Sequence, residues 1–130
     1  MILSEKITYH DPCYLGRHNG VYQTPRTVLS GGHRERLTEM PRNRNDSFCC
    51  GAGGAQFWKE EEPGTLRVGE NRFREAEQTG AQVVATGCPF CKSMLGSSES
   101  AGRPGAPPVL DIAELVVESL RRSKAKLGLR

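Results

Sequence analysis

Gln82-Val83-Val84-Ala85-Thr86-Gly87-Cys88-Pro89-Phe90-Cys91 compresses a strand, a turn and a helix start into ten residues. Val83 to Thr86 is short, apolar and partly β-branched, as expected of a largely buried strand in a parallel sheet. Gly87 interrupts it, and Pro89 suits the first position of a helix, where its missing N–H leaves no extra orphan. Cys88 and Cys91 then flank the first helical turn, among unpaired N–H groups whose partial positive charge favours thiolate over thiol.

The same plan recurs upstream. Lys6-Ile7-Thr8-Tyr9-His10 alternates and is rich in β-branched and aromatic residues, so it reads as a strand ended by Asp11-Pro12. Cys13 follows just beyond its carboxyl end. Thr24 is placed to cap a short helix that has Pro25 at its first position and stops at Gly31-Gly32. Arg36 to Met40 reads as a further strand, and the polar loop from Pro41 to Asp46 leads into Ser47-Phe48-Cys49-Cys50-Gly51-Ala52-Gly53-Gly54.

From Thr65 to Gln78, Leu66, Gly69, Phe73 and Ala76 recur at helical spacing, Glu70 can pair with Arg74, and Gly80 ends the helix. Residues 96–108 hold three glycines and three prolines and read as a mobile loop. Val109-Leu110 can form a last short strand. Asp111 then caps a helix with Glu114 three residues on, and Ile112, Leu115, Val116, Ser119 and Leu120 mark its packing face. Strand and helix thus alternate as in α/β proteins. The expectation is a single domain over residues 1–130 with its core at about 6–120. It contains a small, mostly parallel sheet of about four strands flanked by helices, with the cysteines gathered at strand carboxyl ends.

All five cysteines fall in one pattern, C-x35-C-C-G-x36-C-x2-C, formed by Cys13, Cys49, Cys50, Cys88 and Cys91. Adjacent cysteines are poorly placed to bond each other, because the small ring they close is strained. Two neighbouring thiolates offered to a larger centre explain the pair better. Gly51, Gly53 and Gly54 let the backbone approach such a centre and turn N–H groups toward its negative charge. Structural zinc takes four ligands and leaves one cysteine over, whereas a polynuclear iron–sulfur centre can employ more thiolates. A dithiol redox pair made of Cys88 and Cys91 alone leaves the other three cysteines without a purpose. His10 and His18 are candidates for contacts around the centre, and structural roles compete with both. Trp58 reads as packing.

Composition bounds the rest. The 130 residues are 36% hydrophobic and 25% charged, with a formal charge of +3. No apolar run approaches the roughly 18 residues of a membrane span. Met1-Ile2-Leu3-Ser4-Glu5 lacks the basic and apolar regions of a secretory leader. Reduced cysteines in a cytoplasmic protein are therefore expected. The basic tail, residues 121–130, has no interleaved aromatics and no reading motif, so nucleic acid is not an expected partner.

Tyr9-His10-Asp11-Pro12-Cys13-Tyr14-Leu15-Gly16-Arg17, Ser47 to Gly54, and Ala85-Thr86-Gly87-Cys88-Pro89-Phe90-Cys91 together closely resemble the CCG cysteine-rich domain. That family occurs in heterodisulfide reductases, in the iron–sulfur subunits of glycolate oxidase and anaerobic glycerol-3-phosphate dehydrogenase, and in lactate-utilisation proteins. The resemblance implies an iron–sulfur oxidoreductase domain or subunit. It assigns Cys13, Cys49, Cys50, Cys88 and Cys91 as ligands of a noncubane 4Fe-4S cluster. Electrons would pass between a flavin or ferredoxin partner and a disulfide, thiol or quinone acceptor. Other family copies carry zinc, so a structural zinc module that docks a partner is the alternative. The motif usually occurs in tandem beside ferredoxin-type cysteine runs, and this chain has one copy and no such run. The implied partners are a second CCG domain, a ferredoxin-type iron–sulfur domain or a flavin-containing dehydrogenase subunit, with any membrane association made through them.

Overall fold

A computed structural model describes residues 3–129. Met1 and Ile2, part of the leader reading, and Arg130, at the end of the basic tail, lie outside the described residues. Three strands, β1 (Ile7–His10), β2 (Val83–Thr86) and β3 (Val109–Asp111), form a wholly parallel sheet in the order β1-β2-β3. Four α-helices accompany them: α1 (Gln23–Ser30), α2 (Val68–Gln78), α3 (Pro89–Gly96) and α4 (Ile112–Lys126).

The alternation of side chains along a strand sorts the core into two layers. Ile7, Tyr9, Val83 and Ala85 point to one face and pack with Leu29 of α1 and Leu115 of α4. Val84 points to the other, where Phe73 and Ala76 of α2, Cys91 and Leu95 of α3, Met40 and Cys50 close the second layer. Both faces of the sheet are therefore covered, and β1 and β2 are buried along their whole length, polar Thr8, His10 and Thr86 included. Two cysteines belong to that second layer, so the core and the site share a wall.

The register brings the strand ends together. His10 pairs with Thr86, and Thr86 with Asp111, so the carboxyl ends of all three strands share one edge. Cys13 and Cys88 leave the sheet side by side from that edge.

The fourth expected strand is absent among the described residues. Arg34–Arg36 forms a 3-10 turn, and the stretch after it touches the sheet only at the bridge between Ile7 and Leu37, where the Thr38 N–H donates to the Ile7 carbonyl at 2.9 Å. Glu39 then turns aside to accept from Arg26 at 2.6 Å, and Pro41 has no N–H to continue a ladder. Helix α1 begins at Gln23 rather than being capped by Thr24, with Tyr22 at the N-cap position making no side-chain cap. Its end is as expected, with Gly31 in the left-handed region at φ 55°.

Other elements follow the sequence closely. The Asp111 side chain accepts from the Ala113 N–H, and Glu114 accepts from the Asp111 N–H, each at 2.8 Å. This capping box starts α4 one residue after β3 ends. On α4, Leu115 and Ser119 are buried, but Leu120 is 60% exposed and does not share their face. Arg122 in the basic tail pairs with Glu5 and Glu118, so that part of the tail is a solvated helix end.

Residues 96–108 carry a 3-10 turn at Ser100–Gly102 that is tied to α2. Glu70 accepts from the Ser100 hydroxyl, from the Ser100 N–H at 3.1 Å and from Arg74 at 2.7 Å. Burial alone would raise the Glu70 carboxyl, but the Ser100 donors and Arg74 outweigh it and hold the group down at about 2. A carboxyl depressed by folding stabilises the native state above its unfolded value, near 4.5, and that contribution is lost as pH falls toward the folded value. Acid titration of stability is accordingly expected to show a loss between about pH 5 and pH 2 that is reduced in Glu70→Gln. Equal slopes for the two proteins in that window would remove the role assigned to Glu70.

Candidate metal centre

Three segments build the site, and a buried polar network sets their spacing. Asp11, directly after β1, takes a two-pronged contact from Arg26 of α1, Nη1 to Oδ1 at 2.8 Å and Nη2 to Oδ2 at 2.7 Å. Its Oδ2 also accepts from the Arg44 N–H at 2.7 Å, and its carbonyl accepts from the Ser47 hydroxyl at 3.2 Å. One carboxylate thus fastens the turn bearing Cys13 to the segment bearing Cys49 and Cys50. Arg17 donates to the Ser47 carbonyl across the same junction.

Arg72 performs the matching task from α2. It is 0% exposed, and it donates from Nη1 to the Arg42 carbonyl at 2.8 Å, from Nη2 to the Ser47 hydroxyl at 3.2 Å and from Nε to Nδ1 of His10 at 3.0 Å. Its charge is met by Glu75 at 3.1 Å. An apolar stripe with charges outside it is the natural reading of α2, and that reading misses Arg72. Nothing in its spacing separates it from the exposed Arg74.

The cysteine pair then enters a tight bend. Gly51 has φ 94°, a conformation that a side chain disfavours, and its N–H donates to Sγ of Cys49 at 3.2 Å. Gly69, where α2 crosses α3, is required for a different reason, since a Cβ there would lie 3.0 Å from the Cys50 carbonyl oxygen and 3.2 Å from that of Met94. Cys88 is the N-cap residue of α3 and Pro89 occupies the first turn, with Cys91 buried one turn in.

All five cysteines are free, and all five line one cavity of about 260 Å³. His10, Gly53 and Gly54 also line it, whereas Gly51 does not and lies instead against Val68 and Met94. His18 is exposed, stacks near Tyr14 with ring centroids 5.0 Å apart, and does not line the cavity. Trp58 is not core packing. It is 72% exposed and stands on the cavity rim with Phe90, their centroids 5.6 Å apart.

The thiols of the pair lie high. A hydrogen bond shared with Cys50, followed by burial, raises Cys49 well above an ordinary thiol. Cys50 is lowered by its bond with Cys49, but its contact with Cys91 and burial outweigh this and push it up to about 12. Crowded, buried sulfurs become thiolates most readily when a cation supplies the compensating charge. The room also exceeds that needed by one ion, as about 10–15 Å³ already admits a water. Donor type, number and volume therefore fit a polynuclear metal centre.

His10 is 1% exposed, and burial followed by the nearby Arg72 charge pushes its pKa down to about 3, so its ring is neutral. One of its ring nitrogens and the sulfurs of Cys50 and Cys91 lie within 4.8 Å of one another.

A cysteine-rich domain model named CCG matches residues 7–96. The chain is 40% identical over 127 residues to the probable iron-sulfur-binding oxidoreductase FadF of Bacillus subtilis (strain 168), covering 97% of this chain and 18% of that protein. It is 42% identical over 119 residues to one subunit of the dihydromethanophenazine:CoB–CoM heterodisulfide reductase of Methanosarcina barkeri, covering 91% and 28%. It is 36% identical over 125 residues to the EtfAB:quinone oxidoreductase of Syntrophomonas wolfei, covering 91% and 17%. The chain spans less than a third of the length of each of these relatives. No solved structure matches. The matched residues run from the first strand through the end of α3 and contain every cysteine of the cavity, and the chain belongs to the CCG cysteine-rich domain family.

Proposed function

We propose that this chain is the cluster-binding module of an iron–sulfur oxidoreductase, with Cys13, Cys49, Cys50, Cys88 and Cys91 holding a noncubane 4Fe-4S cluster. The observation that carries this is the convergence of five free cysteines from three distant segments on one cavity. Residues 1–130 form one module in this reading, with its core at about 6–120. Such a cluster supplies one-electron chemistry at a thiolate-bound centre. The protein's own part is to hold five sulfurs in place, keep bulk water from the two buried ones and leave a mouth bordered by Gly53, Gly54 and exposed Trp58.

Electrons have to come from elsewhere, because the sequence given holds neither a dinucleotide fingerprint nor a flavin motif by which to collect them. A second CCG domain, a ferredoxin-type domain or a flavin-containing dehydrogenase subunit is the proposed source. The names of the relatives, a heterodisulfide reductase and a quinone oxidoreductase among them, support a disulfide or quinone as acceptor. No helix among the described residues is long and apolar enough to cross a membrane. Any membrane attachment is therefore proposed to run through partner domains, with this module on the cytoplasmic side.

Zinc is the second reading, favoured by the buried Cys50 and Cys91 sulfurs, which lie within 4.8 Å of each other. It leaves cysteines unused, since structural zinc takes four ligands. Stopped-flow absorption tests the electron-transfer role. The protein, reconstituted and reduced by a strong artificial donor, is expected to be reoxidised by a disulfide, two reduced centres and two protons giving two thiols, or by a quinone, two reduced centres and two protons giving a quinol. Reoxidation no faster with either acceptor than without one would contradict an acceptor-facing centre.

A further inference from the structure

The hydrogen bond between Arg72 and His10 decides what the imidazole can do. A guanidinium nitrogen only donates. Nε of Arg72 lies 3.0 Å from Nδ1 of His10, so Nδ1 is the acceptor, and the single proton of the neutral ring sits on Nε2. Arg72 has little freedom to change this arrangement, being fully buried and held by Arg42, Ser47 and Glu75.

His10 also belongs to the wall of the thiol cavity, and a ring nitrogen lies within 4.8 Å of the Cys50 and Cys91 sulfurs. A metal ligand must offer a bare nitrogen lone pair. Here the lone pair of Nδ1 is engaged by Arg72, and Nε2 bears the proton. The ring therefore has an N–H to give and no free lone pair. Thiolates and sulfides are acceptors for such a group.

We propose that His10 is a positioning residue that donates a fixed hydrogen bond from Nε2 to the sulfur of Cys50 or Cys91, with Arg72 locking it in that tautomer. The donor draws electron density from the sulfur and favours the more reduced, more negative state of the bound centre. This last consequence rests on the iron–sulfur reading above. The tautomer and the hydrogen bond do not.

Two measurements separate these layers. In 15N-labelled protein loaded with cadmium-113 as a diamagnetic probe, His10 is expected as a single Nε2–H tautomer, with a small coupling from that proton to cadmium through the sulfur. A proton on Nδ1, a mixture of tautomers or a direct nitrogen–cadmium coupling would overturn the proposal, the last by making His10 a ligand. In the iron-reconstituted protein, His10→Phe is expected to shift the reduction potential to a more negative value. His10→Gln, which can both accept from Arg72 and donate an N–H, should bring it back toward the wild-type value. Equal potentials for wild type and His10→Phe would refute the electronic role. If the wild-type protein takes up no iron, the iron–sulfur reading fails, and the cadmium experiment still decides the donor.

Discussion

Arg72→Met is expected to destabilise the fold by about 3–5 kcal/mol, the usual cost of removing one partner from a buried ion pair. A lower urea midpoint at unchanged m-value would report it. The side chain is 0% exposed, and its loss leaves Nδ1 of His10, the Arg42 carbonyl and the Ser47 hydroxyl short of a donor. Glu75 retains Arg42 at 2.6 Å, which keeps part of its charge compensated and argues for the lower end of that range. Against a total stability of roughly 5–15 kcal/mol for a domain, even that is severe. Arg122→Met is the control, since its pairs with Glu5 and Glu118 lie at the surface, where ion pairs contribute little. A midpoint for Arg72→Met equal to that of wild type would mean that α2 does not hold the cysteine segments as described.

Cys50→Ser and Cys91→Ser are expected to have the largest effects on the centre itself. Both residues are buried in the layer between sheet and helices, so each position is fixed by packing as well as by chain connectivity. Loss of contacts outside the ligand set typically costs about 10–100-fold in metal affinity, and loss of a thiolate ligand should cost more. After anaerobic reconstitution both variants should lose most of the visible absorption. His18→Ala, which alters an exposed ring away from the cavity, should retain it. A complete spectrum in both cysteine variants would exclude these residues as ligands.

The sequence revealed β1, β2 and the start of α3 because each rests on a local rule: alternation or an apolar run for the strands, proline at the first turn for the helix. The meeting of Cys13 and Cys88 was also legible, since parallel strands that each end just before a cysteine must deliver those cysteines to one edge, whereas Cys49 and Cys50 follow no strand and are held there by the Asp11 and Arg72 contacts. Tertiary competition hid the rest. Arg36 to Met40 has strand-like spacing, but Glu39 finds a better partner in Arg26 than the sheet could offer. The serines between Gly96 and Pro108 suggest a loop, and it is Glu70 on a distant helix that anchors Ser100. Trp58 resembles a core residue by type, yet it stands exposed at the mouth of the cavity. Arg72 was the least visible, because a buried arginine and an exposed one leave the same mark on a helical pattern. The role of His10 stayed open for the same reason, as its tautomer is set by that arginine.

Whether five thiolates hold one polynuclear centre is tested most directly by purifying the protein anaerobically, reconstituting it with iron and sulfide, and assaying iron, acid-labile sulfide and zinc per chain. About four irons per chain with a comparable amount of sulfide are expected, with no stoichiometric zinc. One tightly held zinc per chain with no uptake of iron would contradict a single polynuclear centre.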